Sequence, residues 1–132
     1  MLQVAQGEAM KLEESNEKIN RLRQILNETN MTKEAIVEIS KSKTGNKMIV
    51  PLGSGVFVFA KTENIKQSLV SMPGQAGIIK KNEDIEKDLS KRIENIEQAL
   101  DKEIQSNQKT ALNLNNLSMV LNQQQNRKRP QK

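Results

Sequence analysis

Cysteine, histidine, tryptophan and tyrosine are absent from the 132-residue chain, and phenylalanine occurs only twice. Without histidine no side chain has an unperturbed pKa near neutrality, so the commonest general base is missing. Without cysteine or histidine there is neither a thiol nucleophile nor a tetrahedral zinc site. The lack of cysteine also excludes a disulfide framework, while leaving the compartment open. The three aspartates, Asp84, Asp88 and Asp101, stand among lysines in one helical stretch. Mixed charge of that kind marks a solvated helix face rather than a catalytic carboxylate pair. No Gly-rich phosphate cradle with its Lys-Ser/Thr is present. The chain reads as a non-enzyme with no cofactor.

Long apolar runs are missing as well. No stretch approaches the ~20 residues that span a bilayer, and no N-terminal run resembles a signal peptide, so a soluble cytoplasmic protein is expected. The formal net charge of +5 permits nucleic acid or acidic proteins as partners. That excess reads as spread along the chain, apart from Arg127-Lys128-Arg129. Scarce aromatics weaken a single-strand-binding reading, so nucleic acid is not the expected partner. With 35% hydrophobic and 28% charged residues, the composition is lean for a compact globule. Such chains fold when narrow apolar stripes meet other stripes, often on other subunits.

What is present falls into three segments. Residues 3–41 contain no proline and one glycine, Gly7. Leu12, Ile19, Leu22, Leu26 and Ile36 follow a 3–4 spacing in which Ser15, Thr29 and Lys33 are polar interruptions, the seam of a coiled coil. Residues 43–81 hold five of the six glycines and two of the three prolines. There Met48, Val50 and Leu52 alternate along one run, Gly53-Ser54-Gly55 breaks it, and Val56, Val58 and Ala60 alternate along the next. This is the pattern of a β-hairpin. A second hairpin is expected from Ile65–Met72 and Ile78–Lys80, with Pro73 to Gly77 as its turn. Both faces of these strands are apolar, and isolated hairpins are marginal in water, so another subunit must cover them. From Asn82, expected to cap a helix, Ile85, Leu89, Ile93, Ile96, Leu100 and Ile104 mark a stripe that resumes at Leu112, Leu114, Leu117 and Leu121.

The expected fold is therefore α+β: two long helices in an antiparallel coiled coil, joined by two β-hairpins that build an oligomeric β-barrel. Its divisions are a helix over 1–42, the double hairpin over 43–81, a helix over 82–126 and a basic tail over 127–132, all in one domain. Both chain ends then meet at the end of the coiled coil away from the hairpins.

Met48 to Lys61, "MIVPLGSGVFVFAK", and Leu69 to Lys81, "LVSMPGQAGIIKK", lie between helices of matching length. In these motifs the middle segment resembles the double-hairpin region of prefoldin alpha-type subunits. The resemblance implies a hexamer of two alpha and four beta subunits, with beta-type prefoldin subunits as partners. It further implies an ATP-independent chaperone that holds non-native client proteins at its coiled-coil tips and delivers them to a group II chaperonin. Several weak apolar contacts on one client gain affinity through effective concentration. On this reading the client-binding tip comprises Leu2, Val4, Met10, Leu114, Leu117, Met119, Val120 and Leu121. Leu117 and Val120 are expected to stand off the line through Leu114, Ser118 and Leu121. The subunit interface comprises Val50, Leu52, Val56, Val58 and Leu69. The alternative is a filament-forming coiled-coil protein of the same architecture, since hairpin edges that fail to close a ring can propagate.

Overall fold

The computed structural model describes residues 2–128. In chain order it comprises helix α1 (Leu2–Lys41), strands β1 (Lys47–Gly53), β2 (Val56–Lys61), β3 (Gln67–Met72) and β4 (Gln75–Lys81), and helix α2 (Asn82–Lys128). Arg127 and Lys128 of the expected basic tail continue α2, and residues 129–132 lie outside the described residues. The elements make two compact units: one from the chain's two ends, up to Leu26 and from Asn95, and one from Asn27–Glu94.

In the first unit the helices pair antiparallel. Asn107 donates from Nδ2 to Ser15 Oγ at 3.1 Å and to Asn16 Oδ1 at 2.8 Å. One turn away Lys18 Nζ lies 3.4 Å from Glu103 Oε2, so advancing along α1 retreats along α2. Between Leu12 and Leu26 the sheltered positions of α1 are Leu12, Ser15, Ile19, Leu22 and Leu26, with Ile19 buried. Their 3–4 steps are the seam spacing of paired helices. Ser15 is thus a seam position as the spacing predicts, and its polar partner is Asn107. The exposed Lys18–Glu103 pair contributes at most about 1 kcal/mol; the apolar layers carry the pairing.

The second unit holds both hairpins. Helix α1 ends where Ser42 donates from its backbone N–H to the Glu38 carbonyl at 3.1 Å and from Oγ to the Ile39 carbonyl at 2.7 Å, satisfying acceptors of the last turn. The Gly45 N–H donates to the Thr62 carbonyl at 2.7 Å and the Thr62 N–H to the Asn46 carbonyl at 3.0 Å, closing the base of the first hairpin. Strands β1 and β2 pair antiparallel, Met48 opposite Ala60 and Val50 opposite Val58. Ser54 and Gly55 form the two-residue turn with φ of 53° and 79°. Two positive φ values define the type I′ turn, whose twist matches that of the flanking strands. The register shifts between Pro51 and Gly53, leaving Leu52 as a bulge.

The second hairpin departs from its expected form. Its turn is not Pro73 to Gly77 but the pair Pro73-Gly74, with Gly74 at φ 73°. Proline followed by a positive-φ glycine is the type II pattern. Ala76 and Gly77 belong to β4, where they face Ser71 as a bulge between the Val70–Ile78 and Met72–Gln75 pairs. Gly77 sits at φ 131°, and a Cβ there would lie 2.9 Å from the Val70 carbonyl oxygen. Glycine is needed at this position for close backbone approach, not for turning the chain.

Strand β4 passes into α2 without an intervening residue. Asn82, expected to cap the helix, instead ties its start to the segment between the hairpins. Its Nδ2 donates to the Ile65 carbonyl at 2.8 Å, and its Oδ1 accepts from Ser68 Oγ at 2.5 Å. Its backbone N–H donates to the Lys66 carbonyl at 2.7 Å. The residue is 2% exposed, and beneath it Ile85 and Leu89 are the buried apolar residues of this unit. Asn82→Ala removes both side-chain bonds and leaves two sheltered polar groups without partners. It is expected to lower stability by about 1–3 kcal/mol. Urea unfolding followed by circular dichroism checks this: the midpoint should fall while helicity without denaturant is unchanged.

Candidate functional site

The hairpins form two separate two-stranded sheets. Neither sheet closes on itself, so a closed barrel would require strands from further chains. On the first hairpin, Val50 and Ala60 are half-buried while Ile49, Phe57 and Phe59 are exposed. Because side chains alternate across a strand, Met48, Val50, Val58 and Ala60 share the more sheltered face, and Lys47, Ile49, Phe57, Phe59 and Lys61 share the open one. Phe59 is 90% exposed and its cross-strand partner Ile49 60%. On the second hairpin, the Val70–Ile78 pair is half-buried and the Leu69–Ile79 pair stands open at 70% and 69%.

Of the residues expected at the subunit interface, Leu52, Val56 and Leu69 are exposed, whereas Val50 is half-buried on the more sheltered face, where its partner Val58 is 40% exposed. Ile49, Phe57, Phe59 and Ile79 present more open apolar surface than Val50 and were not among them. Cross-strand alternation carried the signal, since Phe57 and Phe59 share one face with Ile49. Open apolar residues thus stand on both hairpins, the kind of surface that protein–protein contacts cover.

The first unit carries a second feature at the end where the helix termini lie. A shallow groove of about 350 Å³ is lined by Val4, Glu8, Asn113, Asn116, Leu117 and Val120. Three of the expected tip residues, Val4, Leu117 and Val120, therefore come together. Leu2, Met10 and Met119 are exposed without lining the groove. Leu114, Leu117 and Leu121 are half-buried at 3–4 spacing, while Ser118 is exposed. Leu117 thus lies on the seam, contrary to the expectation that the stripe passes through Ser118. Leu112, absent from the expected set, is also exposed.

Among the described residues no group of three or more Asp, Glu, His or Cys is placed to hold a metal ion, and no helix is long and apolar enough to cross a membrane. Two antiparallel-paired helices carrying a pair of uncovered hairpins define a subunit shaped for assembly with other chains.

The comparisons with known proteins give that class a family. The Prefoldin family, described as prefoldin subunit, matches residues 9–127, and the chain belongs to it. This is a non-enzymatic, chaperone-type family whose members assemble with other prefoldin subunits. Among solved structures, the chain is similar to one from a cryo-EM structure of filamentous PFD from Methanocaldococcus jannaschii. The two are 16% identical with a TM-score of 0.75, and the match covers 91% of this chain and 99% of that one. No curated protein matches significantly.

Proposed function

We propose that the chain is an alpha-type subunit of an ATP-independent, cytoplasmic molecular chaperone. In this reading the open hairpin faces join it to beta-type subunits in a hexamer of two alpha and four beta chains. The grooved end of the helix pair holds non-native proteins for delivery to a group II chaperonin. The observation that carries the reading is the apolar surface left uncovered at both hairpins of a chain from a chaperone-type family. Such surface is stable in water only when other chains cover it. The groove combines Val4, Leu117 and Val120 with polar neighbours and has no deep cavity. That suits weak, repeated contacts with chains of no fixed shape, summed over several arms.

The test is suppression of aggregation. The chain, co-purified with a beta-type prefoldin of the same source, is mixed with a chemically unfolded probe protein in the absence of nucleotide. Reduced light scattering at near-stoichiometric complex, unchanged by added ATP, is the expected result. Scattering equal to that of the probe alone would sink the reading.

A second reading is favoured by one observation: the similar M. jannaschii chain is from a filamentous PFD. A filament of this chain would appear in negative-stain electron microscopy as threads in place of discrete particles.

A further inference from the structure

We propose that a collar of lysines at the hairpin bases selects an unlike, acidic chain as the partner covering the hairpins and opposes self-assembly. The inference rests on the open hairpin faces being the assembly surface and names the chemistry of what covers them. The positive charge is not spread along the chain, as its overall composition suggests. Residues 41–81 contain seven lysines, no arginine and one acidic residue, Glu63. Residues 2–40 carry five basic against seven acidic side chains, and 82–128 seven against eight. The helices are thus slightly acidic and the hairpin segment strongly basic.

Folding gathers these lysines. Lys47 and Lys61 are direct cross-strand partners at the base of the first hairpin. Lys80 and Lys81 end β4, and the Lys66 carbonyl accepts the Asn82 N–H beside them. One groove at the helix–hairpin junction includes Lys41 and Lys47 with Glu38 in its lining, and another includes Lys66 and Lys81 with Glu83, so lysines outnumber carboxylates two to one in each. Only Lys80 has a carboxylate partner among the described residues, Asp88 at 3.4 Å. The other six are exposed. Like charges directly opposed across a hairpin are unfavourable, so the Lys47–Lys61 pair is a standing repulsion that a carboxylate would relieve.

The collar also borders the apolar faces. Lys47 and Lys61 share the open face with Ile49 and Phe59, and Lys81 shares that of the second hairpin with Leu69 and Ile79. An apolar centre with a charged rim is the anatomy of a protein interface. A protein covers both parts, whereas a nucleic acid would satisfy the lysines and leave the aliphatic centre wet. A second copy of this chain would bring the same lysines to the same rim, and like-charge juxtaposition is a strong discriminator between partners. A chain with carboxylates at the equivalent rim is the one that fits.

The experiment uses the full chain and its own charge-reversed form, Lys47→Glu/Lys61→Glu/Lys81→Glu, as the acidic probe. Association is followed by sedimentation at roughly 10 mM and roughly 1 M sodium chloride, where the screening length falls from about 30 to 3 Å. The wild type alone should self-associate at least tenfold more tightly at high salt. Mixed with the reversed form at low salt, it should associate at least tenfold more tightly than either alone. A neutral variant, Lys47→Gln/Lys61→Gln/Lys66→Gln/Lys81→Gln, should self-associate independently of salt. Salt-indifferent self-association of the wild type, with no gain on mixing, overturns the collar. So does retention of a single-stranded RNA oligonucleotide by wild type but not the neutral variant at about 0.15 M salt. Phe59→Ser separates the two levels. If it abolishes association while salt has no effect, the assembly surface stands and the collar falls; if it changes nothing, both fall.

Discussion

Phe59→Ser combined with Ile49→Ser is expected to abolish assembly while leaving a folded, helical chain. In the single chain both side chains are open to water, Phe59 almost completely, so their removal exposes no core. Surface substitutions of this sort change stability by no more than about 0.5 kcal/mol. In an assembly that covers the hairpins the same side chains leave water, each contributing about 1.5–3 kcal/mol. Losing both removes about 3–6 kcal/mol per interface, or roughly two to four orders of magnitude in affinity. Native mass spectrometry with a beta-type subunit reads the result directly. The double variant should remain at single-chain mass under conditions where the wild type is incorporated. Equal incorporation would move the assembly surface off the open face of the first hairpin.

Val4→Glu with Val120→Glu is expected to leave assembly intact and remove most client holding. Both residues line the groove at the end of the helix pair, and both are exposed, so carboxylates there disturb no seam layer. They make better probes than Leu117, whose half-buried seam position would mix a loss of helix pairing with any loss of binding. Apolar contact with an unfolded chain is weak at one site and gains strength by repetition, so a defect in the two alpha arms weakens the hold of the whole complex. Aggregation suppression by the assembled complex should fall by about an order of magnitude, since each 1.4 kcal/mol is tenfold. Full suppression by a normally assembled variant would place client contacts elsewhere.

The helices were legible because their seam repeats over many turns. Ser15, Thr29 and Lys33 interrupt the apolar series yet keep its phase, and all three are sheltered positions. The phase was lost at residues 105–111, where Asn107 and Thr110 stand at sheltered positions as polar residues. Beyond them the leucines are so dense that a line through Ser118 looked as good as one through Leu117. The first turn was legible because Gly53-Ser54-Gly55 interrupts two alternating runs. The second was misplaced because glycine serves two purposes there. Gly74 turns the chain, whereas Gly77 lets it pass close to the Val70 carbonyl. Where both faces of a strand are apolar, period-two alternation sorts the residues into two faces but cannot tell which face is the more open. Ile49, Phe57 and Phe59 therefore emerged only with the fold. The lysine collar was hidden because hairpin pairing, not sequence proximity, gathers it.

The two hairpins are mounted differently. Between α1 and β1 lie the five residues Ser42 to Asn46, whereas β4 meets α2 with no residue between them, at a buried asparagine bonded on both sides. The first mounting has a joint; the second is a weld. A displacement of the second hairpin therefore passes directly into the first turn of α2, while one of the first hairpin must cross the five-residue loop before it reaches α1. A partner that covers the second hairpin is thereby coupled to the helix start more directly than one that covers the first.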